Sequence, residues 1–288
     1  MVDILDIVFK RFSLQRHVSS NINVSALENG VLVVGDENIN RSLLFLAAVT
    51  AASELGIKVL FFTQSQFQSL PVNFQGSASS GLKPEYLKKI RFVYPKTLDD
   101  LLEDVASLHE LVAEAAALPS LVIVDSLERY VCGPAAQNRP QQETQSAAAH
   151  VVALLHDTAA FLTQNLENEA QCRVIVSIQP EWKGQGGCDQ LVLDPILFVL
   201  ERYLQVRCTL EKLRIGEEQN KWLLCLSGPG LQVDGNSTAE EQLRWHVVLQ
   251  PNGALEFCPV SPEPGEIPQG QNPVEVNNEH VPLAITDS

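Results

Sequence analysis

The chain lacks a basic excess. Its 288 residues carry 20 lysines and arginines against 35 aspartates and glutamates, a formal charge of −15. A strong general grip on nucleic acid needs clustered cations to displace counterions, so the composition argues against one. The basic residues that do cluster, Lys10, Arg11 and Arg16, then Lys83, Lys88, Lys89 and Arg91, read as solvated faces of short helices. A C-x-x-C pair is also missing. The six cysteines (Cys132, Cys172, Cys188, Cys208, Cys225, Cys258) are scattered, which disfavours a zinc or disulfide framework and suits reduced, mostly buried thiols. No apolar run approaches the roughly 18 residues of a membrane-spanning helix. The first residues, Met1-Val2-Asp3-Ile4-Leu5-Asp6, are acidic where a secretory leader is basic. The expected compartment is cytosol or nucleus.

What is present is a hydrophobic share of 45%, enough for one large core with appendages. Residues 1–29 read as an N-terminal extension, in which Val2, Leu5, Ile7, Val8 and Phe9 either line a helix docked on the core or belong to a frayed end. From Gly30 onward, apolar runs at Val31–Val34, Lys58–Thr63, Ile90–Tyr94, Leu121–Asp125 and Arg173–Gln179 alternate with helical patterns at Ser42–Leu55, Pro84–Lys89, Thr97–Glu114 and Glu143–Leu166. Unbroken Val, Ile, Leu and Phe predict parallel strands buried on both faces, and the repeated β–α order predicts a doubly wound α/β core. A helix at Pro195–Tyr203 follows, then strands at Leu204–Leu213, Lys221–Ser227, Arg244–Leu249 and Ala254–Cys258, read as an antiparallel extension on the sheet edge. The core is expected over 30–258 and a disordered tail over 259–288.

Three features carry chemistry. Gly35-Asp36-Glu37-Asn38-Ile39-Asn40-Arg41-Ser42 sits between an apolar strand and a helix, the context of the phosphate-cradling G-x-x-x-x-G-K-[ST] loop. Its first Gly and final Ser stand, but Asn40 replaces the second Gly and Arg41 the Lys. Asn tolerates a left-handed backbone, which would let the turn survive, whereas Arg for Lys at a phosphate site is not conservative. Asp36 and Glu37 set two negative charges where a triphosphate would lie. Leu121–Asp125 ends in a carboxylate suited to magnesium beside the Ser42 hydroxyl. Arg173–Gln179 ends in an amide placed to sense a terminal phosphate.

With these motifs the chain resembles the RecA-type recombinases and, within them, the divergent recombinase paralogues. Val122-Ile123-Val124-Asp125-Ser126-Leu127 resembles that family's strand-plus-Asp-Ser motif, Gln179 falls at its polar sensor position, and Trp245–Leu249, the Asn252-Gly253 turn and Leu255-Glu256-Phe257 resemble its last hairpin. Lys89–Pro95, Ala153–Ala160 and Leu200–Tyr203 are similar to the ATPase-like paralogues that associate with a SWIM-type zinc-finger protein in the vertebrate Shu complex. The resemblance covers roughly 30–258. It implies a RecA-like P-loop NTPase core, ATP with Mg held by residues 35–42, Asp125 and Ser42, and a nuclear role in double-strand break repair by homologous recombination. The implied partners are that zinc-finger protein, a RecA-type recombinase and its paralogues, and single-stranded DNA. DNA contact would fall on the loop with Trp182, Lys183, Gly184, Gly186 and Gly187. Gln64 stands where the family carries the Glu that orients the attacking water, and an amide holds water but is no general base. The favoured expectation is a binding role that supports recombinase filaments. Its alternatives are a working ATPase with Arg41 in place of Lys, and a pure scaffold. Phe45-Leu46-Ala47-Ala48 matches the family's Phe-x-x-Ala docking pattern, but its place in the helix after the phosphate-type loop marks Phe45 as core.

Overall fold

Strands apolar on both faces must be covered on both, and that requirement sets the architecture. The computed structural model describes residues 4–13, 30–69, 72–74, 83–111, 118–133, 140–167, 170–180, 190–213, 220–229 and 243–260. Its strands are β1 (Gly30–Val34), β2 (Val59–Phe62), β3 (Ile90–Val93), β4 (Leu121–Val124), β5 (Arg173–Ile178), β6 (Val206–Lys212), β7 (Lys221–Ser227), β8 (Leu243–Leu249) and β9 (Leu255–Pro259). The helices are α1 (Ile4–Arg11), α2 (Glu37–Glu54), α3 (Pro84–Leu87), α4 (Leu98–Ala106), α5 (Glu128–Val131), α6 (Gln141–Asn165) and α7 (Gln190–Tyr203). All nine strands join one sheet in the order β3-β2-β4-β5-β1-β6-β7-β8-β9. The expected α/β architecture, a mostly parallel sheet with an antiparallel C-terminal extension, is what forms.

Several boundaries shift, α7 beginning at Gln190 and α4 ending at Ala106, and the direction of one strand needs correcting. β6 does not open the antiparallel extension; it runs parallel to β1, with Val31 opposite Val206. The helix α7 carries the chain back across the sheet before β6, as a parallel pairing requires. Antiparallel pairing begins only with β7 and continues through β8 and β9. The last strand also reaches Pro259, one residue into the expected tail, and Val260 N–H donates to the Arg244 carbonyl at 3.1 Å. The rest of that tail, from 261, lies outside the described residues.

Alternate residues of each central strand feed two separate cores. Val33, Phe61, Ile123 and Ile175 face the layer built by α1 and α2, while Leu32, Phe62, Val124 and Val176 face α4 to α7. α2 is apolar almost all round because it lies between the sheet and α1, and its stretch from Leu43 to Ala52 is buried. Of the two readings of the N-terminal segment, the docked helix holds for α1: Ile4, Leu5, Val8 and Phe9 are buried and Ile7 is half-buried. Phe9 packs with its ring tilted against Trp245 at 4.8 Å and Phe257 at 5.1 Å. Arg11 pairs with Glu54 on α2, and Phe257 N–H donates to the Phe12 carbonyl at 3.0 Å. Val2 lies outside the described residues.

Replacing Phe9 by Ala removes the centre of this three-ring contact. The expected cost is about 3–5 kcal/mol, read as a fall in the urea midpoint at unchanged slope. A midpoint within error of the parent would mean that α1 is not part of the cooperative fold.

Candidate functional site

The strand ends β1, β5, β4 and β2 bring Gly35, Gln179, Asp125 and Thr63 together at the carboxyl edge of the sheet, where open α/β folds place their sites. The β1–α2 connection is only Gly35-Asp36. Asp36 caps the helix, accepting from the Asn38 N–H at 3.0 Å, and its carbonyl accepts from the Asn40 N–H at 2.9 Å. The Asp36 cap thus starts the helix at Glu37, five residues before the expected start at Ser42. Glu37, Asn38, Ile39, Asn40, Arg41 and Ser42 are helical rather than looped. Asn40 is not left-handed; among the described residues Ser126, at φ 56°, is the one non-glycine with positive φ.

Asn40 is 2% exposed and fills the concavity that a phosphate loop would leave open. Its Nδ2 donates to the Gly35 carbonyl at 2.9 Å and to the Ile178 carbonyl at 3.2 Å, tying the ends of β1 and β5. Two acceptors fix the amide orientation. Its Oδ1, buried without a partner, packs beside Gly35, where a Cβ would sit 2.8 Å from it and 2.7 Å from Leu210 Cβ. Only glycine fits that close approach.

Arg41 turns towards the β2 and β4 ends. Its Nη1 lies 3.5 Å from Asp125 Oδ2, its Nη2 donates to the Ser65 carbonyl at 2.6 Å, and its guanidinium sits 4.2 Å over the Phe67 ring. Asp125, 2% exposed, also accepts from Thr63 Oγ1 at 3.0 Å, Ser126 Oγ at 3.2 Å and Ser177 Oγ at 3.4 Å. Burial holds its carboxyl above the usual carboxylate range, against the opposing pull of Arg41 and of the Thr63 and Ser126 hydroxyls. The Ser42 hydroxyl donates to the Asn38 carbonyl at 2.7 Å, back along its own helix. Phe45 is buried at 6% exposure with its ring 4.2 Å from Phe67, a core residue as the sequence suggests.

The two glutamines part company. Gln64 Nε2 donates to the Lys96 carbonyl at 3.2 Å, and Lys96 Nζ returns a bond to the Gln64 backbone carbonyl at 3.3 Å, so the amide nitrogen is tied to the β3–α4 link. Gln179 meets the site through its backbone, whose N–H donates to Glu128 Oε2 at 3.1 Å. Glu128 escaped the sequence reading. It is fully buried, its Oε1 has no partner, and burial pushes its pKa up to about 8. The one signal for it was a carboxylate inside the helical turn that follows the Asp-Ser motif. Its neighbour Arg129 pairs with Glu37, so the expected repulsion between the acidic loop and a ligand is replaced by a cap from Asp36 and an ion pair from Glu37. Trp182, Lys183, Gly184, Gly186 and Gly187 lie outside the described residues.

Magnesium-bound ATP needs open backbone N–H groups around the phosphates and a free hydroxyl beside Asp125. Here the helix takes the N–H groups from Asn40 on, Asn40 fills the concavity, Ser42 bonds to its own helix, and Arg41 covers Asp125. In this arrangement the residues do not fit the triphosphate and its metal. A cavity of about 230 Å³ adjoins the site, between α2, the segment after β2 and the β8–β9 turn. The cation that lines it is Arg41, already engaged.

The strand order, with β5 between the Gly35 strand and the Asp125 strand, and the Asp-Ser step after β4 define a RecA-like core of the P-loop NTPase class. No protein-family model matches the chain. Two curated relatives do: mouse ATPase SWSAP1, 30% identical over 259 residues (88% of this chain, 83% of the relative), and human ATPase SWSAP1, 33% identical over 231 residues (80% and 88%). The chain belongs to the SWSAP1 ATPase family.

Glu128 makes stability depend on pH. Its folded pKa, near 8, stands above the ordinary 4.5, so between those values the folded state holds a proton that the unfolded state releases. Stability from this group is complete below about pH 4.5 and falls as pH rises, by at most about 1.4 kcal/mol per unit. The charged groups facing it are Asp125 and Arg129. Glu128→Gln is expected to flatten the curve, gaining on the parent at pH 8 relative to pH 5. Parallel curves in urea titrations at both pH values would show that Glu128 is ionised in the fold.

Proposed function

We propose that this chain is a nuclear homologous-recombination factor that acts by docking, not by turning over ATP. It holds a SWIM-type zinc-finger partner in a Shu-type complex and supports RecA-type recombinase filaments, with recombinase paralogues, on single-stranded DNA. Membership of the SWSAP1 family and a RecA-like sheet support the recombination context. The observation that carries the docking role is Gln64: the position for orienting an attacking water holds an amide whose Nε2 is spent on the Lys96 carbonyl. An amide cannot accept the proton that hydrolysis releases, and with the triphosphate excluded from its cradle the chemistry has neither base nor seat.

The name of the relatives favours a second reading, an ATPase stimulated by single-stranded DNA in which Arg41 replaces the lysine and ATP with Mg is bound. Steady-state ATP hydrolysis by the complex co-purified with the zinc-finger partner separates the two. The docking role expects a rate equal to that of a Ser42→Ala variant, with or without single-stranded DNA, and an intact complex in both. Turnover that Ser42→Ala abolishes would make the chain an ATPase. A chain that fails to co-purify with the partner would remove the docking role.

A further inference from the structure

The guanidinium of Arg41 does what a lysine ammonium at the same position does not. It presents a planar fork, one arm to the Asp125 carboxylate and one to the Ser65 carbonyl, while its flat face lies on Phe67. Asp125 then has a complete set of partners from the protein alone: one cation and three hydroxyls, from Thr63, Ser126 and Ser177. One helical position earlier, the Asn40 amide occupies the space between the Gly35 and Ile178 carbonyls and satisfies both. The two substitutions that break the phosphate-loop pattern are therefore neighbours with complementary jobs, one filling the volume of a ligand and one supplying its charge. A fold that has merely lost a ligand leaves a buried carboxylate without a counter-charge, at a cost of about a hundred-fold to several thousand-fold in the folded population. This one does not.

We propose that Arg41 and Asn40 form a built-in ligand set, with Arg41 standing where a divalent cation would neutralise Asp125 and Asn40 standing in the phosphate volume, so that the core holds its shape with no nucleotide. The inference rests on the docking role, because a module that docks constitutively needs a strand edge fixed at all times. It goes further in making nucleotide sensitivity latent: restoring glycine and lysine at the two positions reopens the site.

Melting temperatures of the full-length chain test it, measured without additive, with MgCl2 alone and with Mg-ATP, each probe at millimolar concentration. The native chain is expected to melt at the same temperature in all three conditions. Asn40→Gly combined with Arg41→Lys is expected to gain a rise of several degrees with Mg-ATP, cancelled by adding Ser42→Ala. Arg41→Ala is expected to melt several degrees lower than the native chain, with Mg2+ alone recovering part of the loss. In an Asp125→Asn background Arg41→Ala should change little and Mg2+ nothing, a comparison that stands even if Arg41→Ala alone does not fold. A native melting point raised by Mg-ATP overturns the proposal. So does an Arg41→Ala loss that is equally large in the Asp125→Asn background, since Arg41 would then serve packing and not charge. None of these melts reads partner binding, so the docking role is judged separately by co-purification.

Discussion

A carboxylate buried at the end of a central strand is the constraint around which this edge of the molecule is organised. Asp125 leaves β4 where four strand ends converge, and at 2% exposure it cannot be solvated by water. An isolated charge there would cost far more than a fold of this size has to spare. The solution is local and convergent. Thr63 follows β2, Ser177 comes from β5 and Arg41 from α2, two bringing hydroxyls and the third a cation to the same two oxygens. Ser126 adopts its left-handed backbone at the same spot, a conformation costing of order 1–3 kcal/mol. It donates its hydroxyl to Asp125 while its N–H donates to Ser177 Oγ at 2.9 Å. Backbone strain, two strand ends and a helix are thereby tied to one side chain.

The acidic character of the chain takes on a different meaning around that point. Two carboxylates in a phosphate loop look like an obstacle to a ligand, but in the folded protein both serve the helix: Asp36 caps it and Glu37, in its first turn, anchors to Arg129. Negative charge at a helix N-terminus is favourable in itself. Glu128, a few residues past Asp125, avoids a second buried charge by staying protonated near neutral pH. Neutral acid, capped helix and internal cation together give a region electrostatically closed on itself.

Much of the fold was legible because its strands are uninterrupted apolar runs flanked by polar residues, and such runs admit few other readings. Lys221–Ser227 was bounded correctly, and the central strands were placed to within a residue or so. What the sequence hid was the start of α2. Glu-Asn-Ile-Asn-Arg is a poor helix by composition, and its place after β1 is that of a phosphate loop. Asp36 gave the opposite signal, an N-cap residue before an apolar-periodic segment, and the cap prevailed. The parallel pairing of β6 was hidden for another reason: alternation marks a strand exposed on one side and says nothing of its direction. Gln64 and Gln179 were placed at the right strand ends, yet hydrogen bonds to Lys96 and Glu128, distant in sequence, decide what each does. Side-chain partners across the sheet have no signature in a single chain.

The order of pairing in the sheet carries a consequence for synthesis. Among the described strands β1 is the first to leave the ribosome, but its neighbours are residues 174–178 on one side and 206–209 on the other, both made after more than half the chain. Phe9 of α1 waits longer still, since its aromatic partners Trp245 and Phe257 lie at the far end. Such long-range closure is slow and leaves apolar surface uncovered meanwhile. A nascent or truncated chain can cover part of α1 with α2, but it leaves Phe9 without its ring partners until the final hairpin exists, so the seat of α1 is completed only when the last two strands have been made.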